Sequence, residues 1–181
     1  MQKNRPARST KQMPAQQRRQ RPPSNAVSTQ SELSEFELDH FLPYLINRAG
    51  VTMATVFAME LRRDDLTLSM WRVLSVLSHL GPQSQVDLAV LTSIEESTMS
   101  RLVSTMDRNS LVTRRRSDVS SREVVIALTR KGHALTRRYI PIALAYEKIA
   151  TRGINKTELE TVRRCLRIMH TNLKGIDRGA S

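Results

Sequence analysis

Residues Gln83 to Thr129 hold an order of segments that few folds satisfy. A short apolar segment (SQVDLAVLT) leads through the polar turn SIEES into a longer amphipathic one (TMSRLVSTMDRN). The segment VTRRRSDVSSREVVIALT follows, its arginines and β-branched residues arranged about a polar turn. Two helices joined by a short turn and followed by a basic two-stranded ribbon describe a winged helix-turn-helix. Its second helix is the one shaped to enter a DNA major groove.

The faces of that second helix carry the reading. Taken from about Glu95 to about Arg108, it places Met99, Leu102, Val103 and Met106 at the three- and four-residue spacing of one buried stripe. Ile94 and Leu111 extend the stripe at either end. The opposite side carries Ser97, Thr98, Ser100, Arg101, Ser104, Thr105 and Arg108. Short hydroxyls allow a helix backbone to approach bases and phosphates closely, and arginine grips guanine or phosphate. A polar surface helix that happens to be hydroxyl-rich is the plain alternative. The ribbon weighs against it. Val112, Arg114 and Arg116 alternate with Thr113 and Arg115, while Val124, Ile126 and Leu128 share one face of the returning strand. Arg114, Arg115, Arg116 and Arg122 then crowd one end, a cluster that repels itself unless a polyanion lies nearby.

Charge separates the rest of the chain into parts. Of the net +12, the first 31 residues contribute +7 with no acid among them. They are rich in Gln, Pro and Ser, so residues 1–31 read as a disordered basic arm, either a source of salt-sensitive DNA affinity or a solubilising tail. The arm lacks the apolar core of a secretory signal. The single cysteine, Cys165, excludes an internal disulfide, fits a reducing cytoplasm, and sits in an amphipathic helix as a boundary hydrophobe. No apolar run is long enough to span a bilayer, so no membrane partner is expected.

Residues 32–64 read as helical, with a break near Pro43, which suits the first turn of a longer helix to about Arg63. Thr67 or Ser69 caps the helix SMWRVLSVLSHL, in which Trp71, Leu74, Leu77 and Leu80 with Val73 and Val76 suggest burial on more than one side; Gly81-Pro82 stops it. Ser84 and Asp87 form a capping box for VDLAVL, with Leu88 and Leu91 facing inward. Thr129 caps a helix to about Thr151, which Pro141 should kink or divide. Gly153 closes it, and Asn155 with Glu158 starts the last helix, whose stripe is Leu159, Val162, Leu166, Met169 and Leu173. The terminal helices have narrow apolar faces and the first has no evident partner within the chain, which points to burial against a second copy.

An enzyme is not indicated. The six glycines form no phosphate loop, no nucleophile–base pair stands out, and no His, Cys, Asp and Glu set has metal-ligand spacing. The paired acids Asp64-Asp65 and Glu95-Glu96 fall at helix ends, where capping accounts for them. No cofactor is expected.

From Leu66 to about Leu173 the chain resembles MarR-family transcription regulators, in LTLSMWRVLSVLSHLG, QVDLAVLTSIEESTMSRLVSTMD, SLVTRRRS, REVVIALTRKG and NKTELETVRRCLRIM, taken in that order. The resemblance implies a mainly α, α+β fold. Residues 67–129 would form the winged helix-turn-helix DNA-binding domain, and residues 32–66 and 130–175 a dimerisation region. It further implies a homodimer that represses from pseudo-palindromic operators in double-stranded DNA and is released by a small aromatic or phenolic effector. Two departures stand out. Asn109-Ser110 occupies a corner where the family usually has Gly, and Asn109 is expected to supply the left-handed residue. At the wing tip, Ser120 replaces an acid before Arg122, with Asp118 displaced.

The DNA-contacting set expected from the pattern is Ser97, Thr98, Ser100, Arg101, Thr105, Arg115, Arg116 and Arg122. The effector site, placed by the resemblance between the first helix and the Trp71 helix, has His40, Asn47, Arg48, Trp71 and Arg72 as candidates. A ligand-independent architectural DNA binder is the competing reading.

Overall fold

The computed structural model describes residues 36–116 and 124–177, with side chains as far as Lys174. These fall into two units, one of residues 37–161 and one of Phe36 with residues 162–177. The arm at 1–31 and the wing-tip positions Asp118, Ser120 and Arg122 lie outside the described residues.

In the larger unit a single 3-10 turn, Leu38–His40, precedes helix α1, Leu42–Leu61, and Pro43 occupies its first turn, where a missing N–H costs nothing. The helix closes through a 3-10 turn at Arg62–Asp64, with Asp65 left-handed at φ 54°. Helix α2, Leu68–Leu80, is capped by Thr67, whose Oγ1 accepts the Met70 N–H, and is stopped by Gly81 at φ 79°. Met70, Val73, Leu74 and Leu77 are buried. Leu80 in the last turn is not, which corrects the expected stripe.

Strand β1, Gln83–Ser84, is an element that the sequence pattern does not announce, because two residues carry no readable period. It pairs with β3, Val124–Leu128, through Gln83↔Ile126 and Ser84↔Val125. Strand β2, Val112–Arg116, pairs antiparallel on the other side, so the expected two-stranded ribbon is a three-stranded sheet of order β1-β3-β2.

Helix α3, Gln85–Thr92, starts at Ser84, which accepts the Asp87 N–H and donates to the Asp87 carboxylate at 2.8 Å. Leu88, Ala89 and Thr92 form its buried stripe, and Leu91 falls beside that stripe with half its surface open, contrary to expectation. Helix α4 spans Glu96–Arg108. Helix α5, Arg130–Ala150, is capped by Thr129 and continues undivided through Pro141. Pro141 is on the exposed side, so the carbonyl it leaves without a helical donor can be hydrated. Helix α6, Lys156–Asp177, begins with the expected reciprocal box between Asn155 and Glu158 and runs on into the second unit.

One core joins the larger unit, built from Leu61, Leu74, Leu88, Met99, Met106 and Ile126 among others. The first helix does have partners within the chain: α1 packs on α2 and α5, with Phe57 and Leu61 buried near its C-terminal end. Its N-terminal half keeps Leu42, Leu45 and Ile46 about two-fifths exposed.

Candidate nucleic-acid interface

Helix α4 is held from beneath by Met99, Val103 and Met106, each with no exposed surface and four and three residues apart. That anchoring turns the opposite side outward by geometry alone. Ser97, Thr98 and Arg101 are exposed there, and Ser100, Ser104 and Thr105 are half-buried along its flanks. The flanking hydroxyls are occupied locally: Ser104 Oγ donates to the Ser100 carbonyl at 2.8 Å and Thr105 Oγ1 to the Arg101 carbonyl at 3.1 Å. Arg108 donates to Thr105 Oγ1 at 3.2 Å. At the helix start, Glu95 accepts the Thr98 N–H at 3.0 Å and the Ser97 hydroxyl. The Ser97 hydroxyl, followed by the Ser97 and Thr98 backbone N–H groups, lowers the Glu95 carboxyl to about 2, so it is charged at any working pH.

The helix ends in a Schellman motif. Leu111 N–H bonds the Met106 carbonyl and Ser110 N–H the Asp107 carbonyl, both at 2.8 Å. The left-handed residue is therefore Ser110 at φ 56°, while Asn109 is the C-cap at φ −81°. The expectation for Asn109 is off by one position: the left-handed residue is Ser110, directly before Leu111-Val112 where the family has its glycine, and Asn109 precedes it as the C-cap. Around this corner Thr129 Oγ1 donates to the Ser110 carbonyl at 2.6 Å and Lys131 Nζ to the Asn109 carbonyl at 3.0 Å.

Beyond it, Arg114 of β2 donates to Ser104 Oγ of α4 at 3.2 Å, a direct tie between strand and helix. Arg115 and Arg116 follow, both exposed. The structure thus gathers Ser97, Thr98, Ser100, Arg101 and Thr105 on one helix and sets Arg115 and Arg116 on the adjoining strand.

Behind this lobe, α1, α2 and α5 enclose an aromatic group. The Phe57 ring lies 5.4 Å from Trp71, 6.4 Å from Tyr139 and 6.1 Å from Tyr146, all edge-on. A cavity of about 270 Å³ opens beside it, lined by Met53, Phe57, Leu68, Trp71, Arg72 and Tyr146 among others. Of the residues expected at an effector site, Trp71 and Arg72 line this cavity. His40, Asn47 and Arg48 do not: His40 pairs with Glu37 at 2.7 Å in the opening 3-10 turn, Asn47 is exposed, and Arg48 lies over the Tyr44 ring.

Two tyrosines tie the cavity wall to the end of α1. Tyr139, 1% exposed, donates to the Asp64 carboxylate at 2.6 Å, with the Glu60 carbonyl 3.0 Å away; Arg138 meets the same carboxylate at 2.9 Å. Burial first, and the Asp64 bond second, push the Tyr139 hydroxyl up to about 12. Tyr146 donates to Glu60 at 3.2 Å and is raised for the same reasons. Asp64 is thus more than a helix-end acid, as its place in the sequence suggested. Tyr139 and Tyr146, seven residues apart and so on one face of α5, carried a signal that the pattern reading passed over.

Among the described residues no helix is long and apolar enough to cross a membrane, and no group of His, Cys, Asp and Glu stands close enough to hold a metal ion.

Comparison with known proteins places this arrangement. The MarR family pattern matches residues 66–124. A MarR-family transcriptional regulator of Silicibacter pomeroyi has the same fold, with a TM-score of 0.71 at 28% identity over 78% of this chain and 95% of that one. The chain is thus similar to MarR-family regulators, in sequence pattern over residues 66–124 and in fold over most of its length. Another similar structure is BpsR of Bordetella bronchiseptica, whose DNA binding is regulated by 6-hydroxynicotinic acid; it has a TM-score of 0.64 at 25% identity and covers 71% of this chain and 97% of its own. The HTH-type transcriptional repressor NicR of Pseudomonas putida is 24% identical over 134 residues, 74% of this chain and 85% of its own length. The family and the relatives matched here are DNA-binding transcription regulators, not enzymes.

Proposed function

We propose that this chain is a MarR-family homodimeric repressor that binds a pseudo-palindromic operator and releases it when a small aromatic acid or phenol binds. The observation that carries the proposal is the outward face of α4, where Ser97, Thr98 and Arg101 stand exposed over three fully buried residues, beside Arg115 and Arg116 of the wing. Ser97, Thr98, Ser100, Arg101 and Thr105 meet base edges and phosphates, and Arg115, Arg116 and Arg122 meet the flanking backbone. Two such helices enter major grooves about one helical turn apart. Residues 67–129 do the reading, residues 32–66 and 130–175 form the dimer, and the basic arm at 1–31 adds general affinity.

Support for the dimer comes from apolar residues left open in the monomer: Leu42, Leu45 and Ile46 on α1, Leu144 and Ile149 on α5, and Val162, Leu166 and Leu173 on α6. The aromatic cavity suits a planar ring against Phe57, Trp71 and Tyr146, with Arg72 at its edge to meet a carboxylate. The regulated DNA binding of BpsR makes 6-hydroxynicotinic acid and related ring acids the first effectors to try. The site of action is the cytoplasm.

The test combines selection from a random duplex library with light scattering and gel shifts in the presence of aromatic acids. The expected result is a two-fold symmetric operator, a dimer in solution, and loss of the complex with at least one such acid. Equal retention of all sequences, or a monomer, overturns the reading.

A further inference from the structure

Glu95 is an unusual residue to begin a helix. The side chains that serve best there are Asn, Asp, Ser, Thr and Gly, and the longer Glu is not among them. Here it caps through Thr98 N–H like a shorter acceptor, and the same carboxylate oxygen also takes the proton of Ser97. Resting on the operator-binding reading above, we propose that Glu95 fixes the hydrogen-bond polarity of Ser97, so that the recognition helix reads an exocyclic amine of a base, cytosine N4 or adenine N6, at that point.

A serine hydroxyl has one proton and two lone pairs, and a free one turns to suit either a donor or an acceptor. Such a residue carries little sequence information. A hydroxyl whose proton is given to a carboxylate has made its stronger bond already, since charge-assisted hydrogen bonds are roughly twice as strong as neutral ones. Ser97 is left with lone pairs only. In the major groove, cytosine N4 and adenine N6 offer protons, whereas guanine O6 and N7 and thymine O4 offer lone pairs that would face those of Ser97. The Glu95 carboxylate is itself only an acceptor, and its charge keeps phosphate oxygens away from this end of the helix. The flanks follow the same rule, because Ser104 and Thr105 have given their protons to backbone carbonyls. Arg101, on the same face, can only donate.

The experiment uses the full chain and has two steps. Library selection with wild type and with Ser97→Ala first locates the base whose preference depends on Ser97. Affinity is then measured on operators in which that base is replaced by an analogue without the major-groove amine, pyrimidin-2-one for cytosine or 2-aminopurine for adenine, and on operators carrying 7-deazaguanine in its partner strand. Removing the amine should weaken wild type about tenfold, and Ser97→Ala about twofold or less. Glu95→Ser keeps a preferred cap and releases the Ser97 proton, so this variant should bind intact and amine-free operators alike. The proposal is overturned if Ser97→Ala changes no base preference, if 7-deazaguanine and not amine removal weakens wild type, or if Glu95→Ser stays as sensitive to the amine as wild type. Selection of no operator by wild type would remove the functional reading and this inference together. An operator indifferent to the amine removes the inference alone.

Discussion

Replacing Tyr139 by Phe isolates one hydrogen bond at the junction of α1 and α5. The ring keeps its edge contacts with Phe57 and Trp71, and a single oxygen is lost. That oxygen donates to a carboxylate, a bond worth about 1.5–3 kcal/mol when the acceptor is charged. The Asp64 side chain is 24% exposed and keeps Arg138, so water and the guanidinium recover part of it, and the net loss should be about 1–2 kcal/mol. The pH dependence reads the burial of this hydroxyl together with the same bond. An unfolded tyrosine ionises near 10, whereas folded Tyr139 holds its proton to about 12. Since the unfolded chain releases its proton first, the contribution is complete below pH 10 and falls as pH rises from 10 to 12, by about 1.4 kcal/mol per unit. Urea unfolding at fixed protomer concentration should therefore show wild type ahead of Tyr139→Phe at pH 7, with the gap closed within about 1.5 units above pH 10. Equal stability at pH 7, or a gap that does not narrow in alkali, would refute the reasoning.

Three other perturbations test separate parts of the structure. A Cβ at Gly132 would stand 2.2 Å from the Leu111 carbonyl oxygen, which Thr129 already holds through its N–H at 3.1 Å; Gly132→Ala should cost at least about 2 kcal/mol in urea unfolding, and an unchanged midpoint would contradict the close approach of α5 to the wing corner. Ser110→Gly relieves a left-handed non-glycine residue and should stabilise by about 0.5–1 kcal/mol after allowing for the looser unfolded chain, as read by the same method. If Arg115 and Arg116 meet phosphates, replacing each by Ala should reduce the slope of log affinity against log salt by about 1 without changing the selected operator; an altered operator would make them base readers instead.

The parts of the fold legible in the sequence are those decided within a few residues. Thr129, Ser84 and the Asn155–Glu158 pair cap their helices through bonds that span three positions, and the α4 stripe repeats every three or four. Errors enter where a boundary moves by one residue or an element is too short to repeat. Ser110, not Asn109, turns left-handed because the closing bonds of α4 put the left-handed residue after the C-cap, and β1 owes its existence to Val125 and Ile126, some forty positions along the chain.

The candidate sites divide along the same line. The proposed DNA-facing surface projects from one helix and one strand, so its residues share a period and can be found together. The aromatic cavity draws on positions from Met53 to Glu147, which meet only after three helices have packed. His40, Asn47 and Arg48 lie away from this cavity, since a helix rises about 1.5 Å per residue. Asn47 is ten residues from Phe57 on α1, so about 15 Å of helix separates them. What the cavity has instead is Tyr146, joined through Glu60 to the end of α1, as Tyr139 is through Asp64. A ring inserted beside Phe57 and Trp71 would press on the two tyrosines whose hydroxyls hold that end of α1. On the proposed reading, an effector in this cavity would act first on Tyr146 and Glu60, and Asp64, held by Tyr139, stands one helical turn further on; both acids have partners more than seventy residues away.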